Sequence, residues 1–74
     1  MPEYDDLQVS ARNRLRGVVK SVNTEGLLCE VVLDLGNGRE IVSVITRSSA
    51  ERLGLEPGVE AVALIKSTEV LLAR

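Results

Sequence analysis

The chain has 74 residues, a formal net charge of −2, one cysteine and no histidine. That length makes one domain with a thin core, near the lower limit for folding alone, and such domains commonly need a disulfide, a metal or an oligomer partner. A lone cysteine excludes an intrachain disulfide and the lack of histidine removes the commonest metal ligand and general base, so oligomerisation is the expected staple, while the negative charge argues against a broad nucleic-acid footprint.

Residues 1–9 read as a flexible acidic N-terminal tail with Asp5 and Asp6 adjacent, and residues 10–74 as a single domain. "MPEYDDLQ" lacks an apolar core, so no secretory signal is expected. No apolar run approaches the ~20 residues of a membrane span, and the cysteine usage fits a reducing cytoplasm. Arg14–Val22 reads as strand one, with Gly17 marking a bulge or bend. Asn23–Gly26 is a turn. Leu27–Leu35 is strand two, with Leu27, Cys29, Val31, Leu33 and Leu35 on one face and Glu30 and Asp34 on the other. Gly36–Gly38 signals a hairpin into strand three, Glu40–Thr46. The period then changes. Ser48 followed by Glu51 has capping-box spacing, and Gly54 suits the end of a short helix. After the Glu56–Gly58 turn, Val59–Lys66 is strand four. Ser67 and Thr68 break it, and Glu69–Ala73 is strand five. This order predicts an all-β fold: a five-stranded OB-like Greek-key barrel with one short helix between strands three and four.

The strands carry aliphatic residues on both faces: Leu28 and Val32 on strand two, Val42 and Val44 on strand three, Val62 and Leu64 on strand four. A lone barrel needs one apolar face per strand, so the second face points to an oligomer interface. Catalysis has little to work with. Cys29 lies on an apolar strand face, where a thiol behaves as a small hydrophobe, and the carboxylates show no metal-ligand spacing. The chain is not read as an enzyme, and no cofactor or directly ligated metal is expected.

Two polar clusters remain: Ser10-Ala11-Arg12-Asn13 before strand one, and Lys66-Ser67-Thr68 between strands four and five. Each joins a fixed positive charge to hydroxyl and N–H donors, which a small oxyanion needs. Taken alone, each reads more simply as surface charges and turn residues, since Ser, Arg and Lys are mostly exposed.

"SARNRLRGVV", "GLLCEVVLDLGNGREIVSVIT" and "SAERLGLEPGVEAVALIKSTEVLL" together resemble the molbindin family, small molybdate-binding proteins built on a TOBE-type, OB-like domain. The likeness runs from Ser10 to Leu72. It implies a hexamer, a trimer of dimers, binding molybdate or tungstate between subunits for storage, buffering or homeostasis. The implied ligands fall on Ser10, Ala11, Arg12 and Asn13 of one chain and on Lys66, Ser67 and Thr68 of a neighbour. The Glu25-Gly26 turn is a candidate for a further site. Ser67 stands where the family often has Ala, which keeps a backbone N–H and adds a hydroxyl.

A tetrahedral dianion without a proton suits a donor-only pocket, and Arg12 and Lys66 supply the compensating charge its burial requires. Two other readings stay open. An OB-like barrel can bind nucleic acid, but such sites use aromatic stacking platforms and a basic groove, and the sole aromatic, Tyr4, is in the tail. A purely structural oligomer would use Arg12 and Lys66 for subunit salt bridges.

Overall fold

The computed structural model describes residues 8–74. The flexibility expected of the leader falls mainly on residues 1–7, which lie outside the described residues. Four strands form one antiparallel sheet: β1 (Asn13–Glu25), β2 (Leu28–Gly36), β3 (Arg39–Thr46) and β4 (Glu60–Ile65), in the order β3-β2-β1-β4. A helix, α1 (Arg47–Leu53), follows β3.

The long β1 is the spine. Its first half pairs with β4, from Asn13↔Ile65 to Val18↔Glu60, and its second half with β2, from Val18↔Asp34 to Glu25↔Leu28. Between these halves the register shifts at Lys20. An extra residue bends a strand and increases its twist, so the sheet curls. It also exchanges the faces: Val19 is buried before the bulge, and Val22, not Ser21, packs against the core after it. The bulge expected at Gly17 is therefore three residues further on, and Gly17 has another role.

Two tight hairpins set the strand lengths. Gly26 has φ +62 while Leu27 does not have positive φ, the pattern of a two-residue type II′ turn. β1 therefore runs on through Asn23–Glu25, residues expected to belong to the turn. Leu27 sits at the tip, 85% exposed, and is not on the inner face with Cys29, Val31 and Leu33. Asn37 and Gly38 both have positive φ, the type I′ geometry that Asn-Gly favours.

The helix starts two residues earlier than its capping box implied. Thr46, not Ser48, is the N-cap: its hydroxyl accepts from the Ser49 N–H at 3.1 Å. Glu51 does not reach back to cap. It takes the Arg47 Nε–H at 3.1 Å, one turn along the helix. Gly54 ends the helix in the left-handed region, as expected. Thr46→Ala should cost about 1 kcal/mol and lower the melting temperature by roughly 4–8 °C. Ser48→Ala should cost much less. Thermal melts of the two variants check the assignment.

The core is small: Val19, Cys29, Val31, Leu33 and Ala50 are buried, with Ile41, Ile45, Leu55 and Val59 among the half-buried residues packed on them. Cys29 is a free buried thiol whose sulfur accepts from the Thr24 hydroxyl at 3.6 Å. On the opposite sheet face Leu28, Val42, Val44 and Leu64 are exposed, the second apolar surface anticipated from the alternation.

The fifth strand is absent from the described residues. β4 ends at Ile65, Ser67–Glu69 form a single 3₁₀ turn, and residues 70–74 join no ladder. The fold is all-β and OB-like, but with four strands. The sequence of this segment suits a strand, but within one chain it pairs with neither edge strand of the sheet, β3 or β4.

Candidate functional site

The two clusters named from sequence, 53 positions apart at their nearest members, meet at one end of the β1–β4 ladder. β1 begins at Asn13 and β4 ends at Ile65, and these two residues are paired. Arg12 and Lys66 are the residues just beyond that last pair. Asn13 fastens the junction: its side-chain amide donates to the Ile65 carbonyl at 3.0 Å. Ala11 is buried, whereas its neighbours Ser10 and Arg12 are exposed, so the small apolar residue anchors the segment and leaves the polar pair on the surface. Lys66, Ser67 and Thr68 are exposed as well.

On the Lys66 side the chain turns at once. The Lys66 carbonyl accepts from the Glu69 N–H at 2.9 Å, closing the 3₁₀ turn over Ser67 and Thr68. The first N–H groups of a helical turn have no partner within it, so Ser67 and Thr68 offer backbone donors beside their hydroxyls. Among the described residues neither Arg12 nor Lys66 has an ion-pair partner. Two like charges brought to one end of a ladder repel one another, and an anion between them reverses the sign of that interaction. The arrangement thus supplies two cations, three hydroxyls and backbone N–H groups at one place. Asn13 differs from the rest of the set, because one of its two side-chain N–H donors is engaged by the Ile65 carbonyl.

Within a single chain this is an open surface. Four clefts of 370, 340, 460 and 310 Å³ lie elsewhere, and none contains a residue of either cluster. One of them, the 460 Å³ cleft, gathers Arg14, Arg16 and Arg39 beside Asn37. Sequence reasoning did not single out that basic group. The spacing of Arg14 and Arg16, two apart on a strand, was the available signal. The Glu25-Gly26 turn is at the other end of β1 from the two clusters and does not join them.

The profile of the TOBE domain family matches residues 9–72. The chain belongs to the TOBE domain family, in its molbindin branch. This TOBE domain is 41% identical over 66 residues to molybdenum-pterin-binding protein 1 of Clostridium pasteurianum, an alignment covering 89% of this chain and 97% of that one. It is 54% identical over 66 residues to molybdenum-pterin-binding protein MopB of Rhodobacter capsulatus, but spans only 24% of that longer protein. Among solved structures, a molybdate-binding protein from Sporomusa ovata superposes with a TM-score of 0.86 at 34% identity, covering 92% of this chain and all of that one. The cytoplasmic molybdate-binding protein ModG, solved with molybdate bound, superposes with a TM-score of 0.81 at 42% identity, over 90% of this chain and 48% of its own. All of the TOBE domain's sequence-derived site positions fall within the matched residues 9–72.

Proposed function

We propose that residues 10–74 form an oxyanion-binding domain that takes molybdate or tungstate at the Ser10–Asn13 and Lys66–Thr68 clusters. The observation that carries it is the β1–β4 register, whose last pair, Asn13↔Ile65, brings the two clusters to one end of the ladder, with neither Arg12 nor Lys66 ion-paired among the described residues. Relatives and structural neighbours named for molybdenum or molybdate binding support the choice of anion. Arg12 and Lys66 neutralise the dianion, Ser10, Ser67 and Thr68 donate hydroxyls, Ala11 and Ser67 contribute backbone N–H groups, and Asn13 holds the two segments together. The protein works by binding and release, without catalysis or a cofactor, in molybdenum storage or buffering in the cytoplasm.

The openness of the site in one chain and the exposed aliphatic face favour an assembly, a hexamer arranged as a trimer of dimers, that walls in the anion between copies. Among the described residues no helix is long and apolar enough to cross a membrane.

Calorimetric titration with molybdate, tungstate, sulfate and phosphate tests the reading. Molybdate and tungstate should bind with similar affinity. Phosphate is partly protonated near neutral pH, and its proton would find no acceptor, a mismatch of about 1–3 kcal/mol. Molybdate affinity should stay level from pH 6 to 8, because the chain has no histidine to titrate there. Phosphate binding as tight as molybdate, or a steep loss of molybdate binding across that window, would overturn the donor-only site.

A further inference from the structure

The acidic leader and the arginine cleft have no part in the site described above, and their chemistries are complementary. β1 pairs only with β4 from Asn13 to Gly17, and β2 joins it at Val18. The 460 Å³ cleft lies in the gap this leaves, between Arg14 and Arg16 of β1 and Arg39 just past the β2–β3 turn, with Leu15 and Leu35 also lining it. Arg14 and Arg16, two apart on a strand, share a face. Among the described residues no carboxylate lines this cleft. The adjoining 370 Å³ cleft shares Arg16 but holds Asp34 and Glu60, so its charge is offset. Three guanidiniums in one cleft favour an occupant with several planar acceptors, which carboxylates provide. Residues 1–8, which precede the part matched by the TOBE profile, hold Glu3, Asp5 and Asp6 and no basic side chain.

We propose that the leader segment Glu3-Tyr4-Asp5-Asp6 docks on the arginine cleft of its own chain. Three carboxylates meet three guanidiniums, and Tyr4, the only aromatic residue, packs on the leucines of the lining. The reach is sufficient. Residues 3–7 extended span roughly 17 Å, β1 from Asn13 to Gly17 covers about 13 Å, and the chain bends at Ser10 just before that stretch. Isolated surface ion pairs contribute little, but several acting as a network contribute more, and the short covalent tether keeps the leader at a high effective concentration over the cleft. The docked leader gives the guanidiniums internal partners and denies them to an outside polyanion such as a nucleic acid, which OB-like surfaces commonly take. The contact does not depend on which ligand the Ser10–Asn13 and Lys66–Thr68 clusters hold.

The test uses the full chain. A nitroxide is attached through Pro2→Cys, which keeps Tyr4 and all three carboxylates; Cys29 is buried and stays unlabelled. Spin-labelled nitrogen-15 copies are unfolded, mixed with a large excess of copies carrying neither label, and refolded, so that attenuation comes from a chain's own leader. Amide signals of residues 36–39 should lose more than half their intensity and regain it when the nitroxide is reduced. The attenuation should vanish when Glu3→Gln, Asp5→Asn and Asp6→Asn are introduced together, and at about 1 M salt, where the screening length falls to about 3 Å. Equal attenuation with the charged and the neutralised leader, or none with either, would overturn the docking. Attenuation that disappears once the unlabelled excess is present would assign the cleft to a neighbouring copy's leader and overturn the self-contact. Tyr4 gives an independent readout, because the chain has no tryptophan and no other tyrosine: its fluorescence anisotropy should fall in Arg39→Ala, and an unchanged anisotropy would also overturn the proposal.

Discussion

Arg12→Ala and Lys66→Ala should each weaken molybdate binding by roughly thirty-fold to several-thousand-fold. The range follows from the cost of removing one hydrogen-bonded partner of a charge held away from water, about 2–5 kcal/mol, with each 1.4 kcal/mol worth a factor of ten. Both side chains are exposed and outside the core, so the loss should come without loss of the fold. Arg12→Lys should also weaken binding, because an ammonium cannot reproduce the planar two-pronged donor of a guanidinium. Two controls separate a local site from general attraction by positive charge. Arg39→Ala removes a cation from a different cleft. Lys20→Ala removes one that is hydrogen-bonded to Glu40 at the β1 bulge. The hydrogen bond to Glu40, and then its charge, raises the Lys20 pKa above the usual lysine value. What that pair adds to stability is therefore present below the ordinary lysine pKa and is lost as pH rises through the raised one. At pH 6–8 Lys20 is charged, and an exposed pair contributes little. Calorimetry on oligomeric variants decides the matter: unchanged affinity in Arg12→Ala and Lys66→Ala, or equal losses in the two controls, would remove the two clusters from the site.

The parts of this structure that were readable in the sequence are those governed by local chemistry. The alternation of Cys29, Val31 and Leu33 with Glu30 and Asp34 gave β2 its buried and solvent faces. Asn37-Gly38 gave the β2–β3 hairpin, and Gly54 the helix end. The failures share a different origin. Thr46, Ser48 and Ser49 all carry hydroxyls, and which of them caps α1 depends on where β3 stops pairing. The bulge at Lys20 is a matter of register between strands, and a lysine on an exposed face carries no sign of it. Leu27 joined the apolar face on paper because its period was right, yet a two-residue turn at Gly26 places it in solvent. Residues 69–73 have the composition of a fifth strand without forming one, because a strand exists only when paired, which propensity does not specify. The candidate site was readable as two lists of residues, through resemblance to molbindins. That the two segments adjoin within one chain follows from the Asn13↔Ile65 pairing, a long-range fact no local pattern contains.

That pairing rests in turn on Gly17, and Gly17→Ala should be among the most destabilising small substitutions in the chain. At Gly17 β1 is paired with Ala61 of β4, one residue before it also takes up β2 at Val18. A Cβ built there would lie 2.7 Å from the Asp34 carbonyl oxygen and 3.0 Å from Leu35 Cδ2. The leucine methyl can rotate aside. The carbonyl belongs to a backbone fixed on both sides, since Asp34 is paired with Val18 and with Glu40, so relief requires the two strands to part. Overpacking of this kind costs about 1–3 kcal/mol, against a total of roughly 4–11 kcal/mol for a domain of this length. At about 4–8 °C per kcal/mol, the melting temperature should fall by roughly 4–24 °C. Gly36→Ala separates space from backbone conformation: Gly36 has φ +91, but a Cβ there would meet nothing within 4 Å, so its cost is conformational strain alone. Because the ladder from Gly17 to Asn13 brings the Ser10–Asn13 and Lys66–Thr68 segments together, Gly17→Ala should also reduce molybdate affinity, by less than Arg12→Ala does. Thermal melts and titrations of Gly17→Ala beside Gly36→Ala give the answer: a Gly17→Ala protein that melts within about 2 °C of the parent would mean that β1 and β2 are free to separate there.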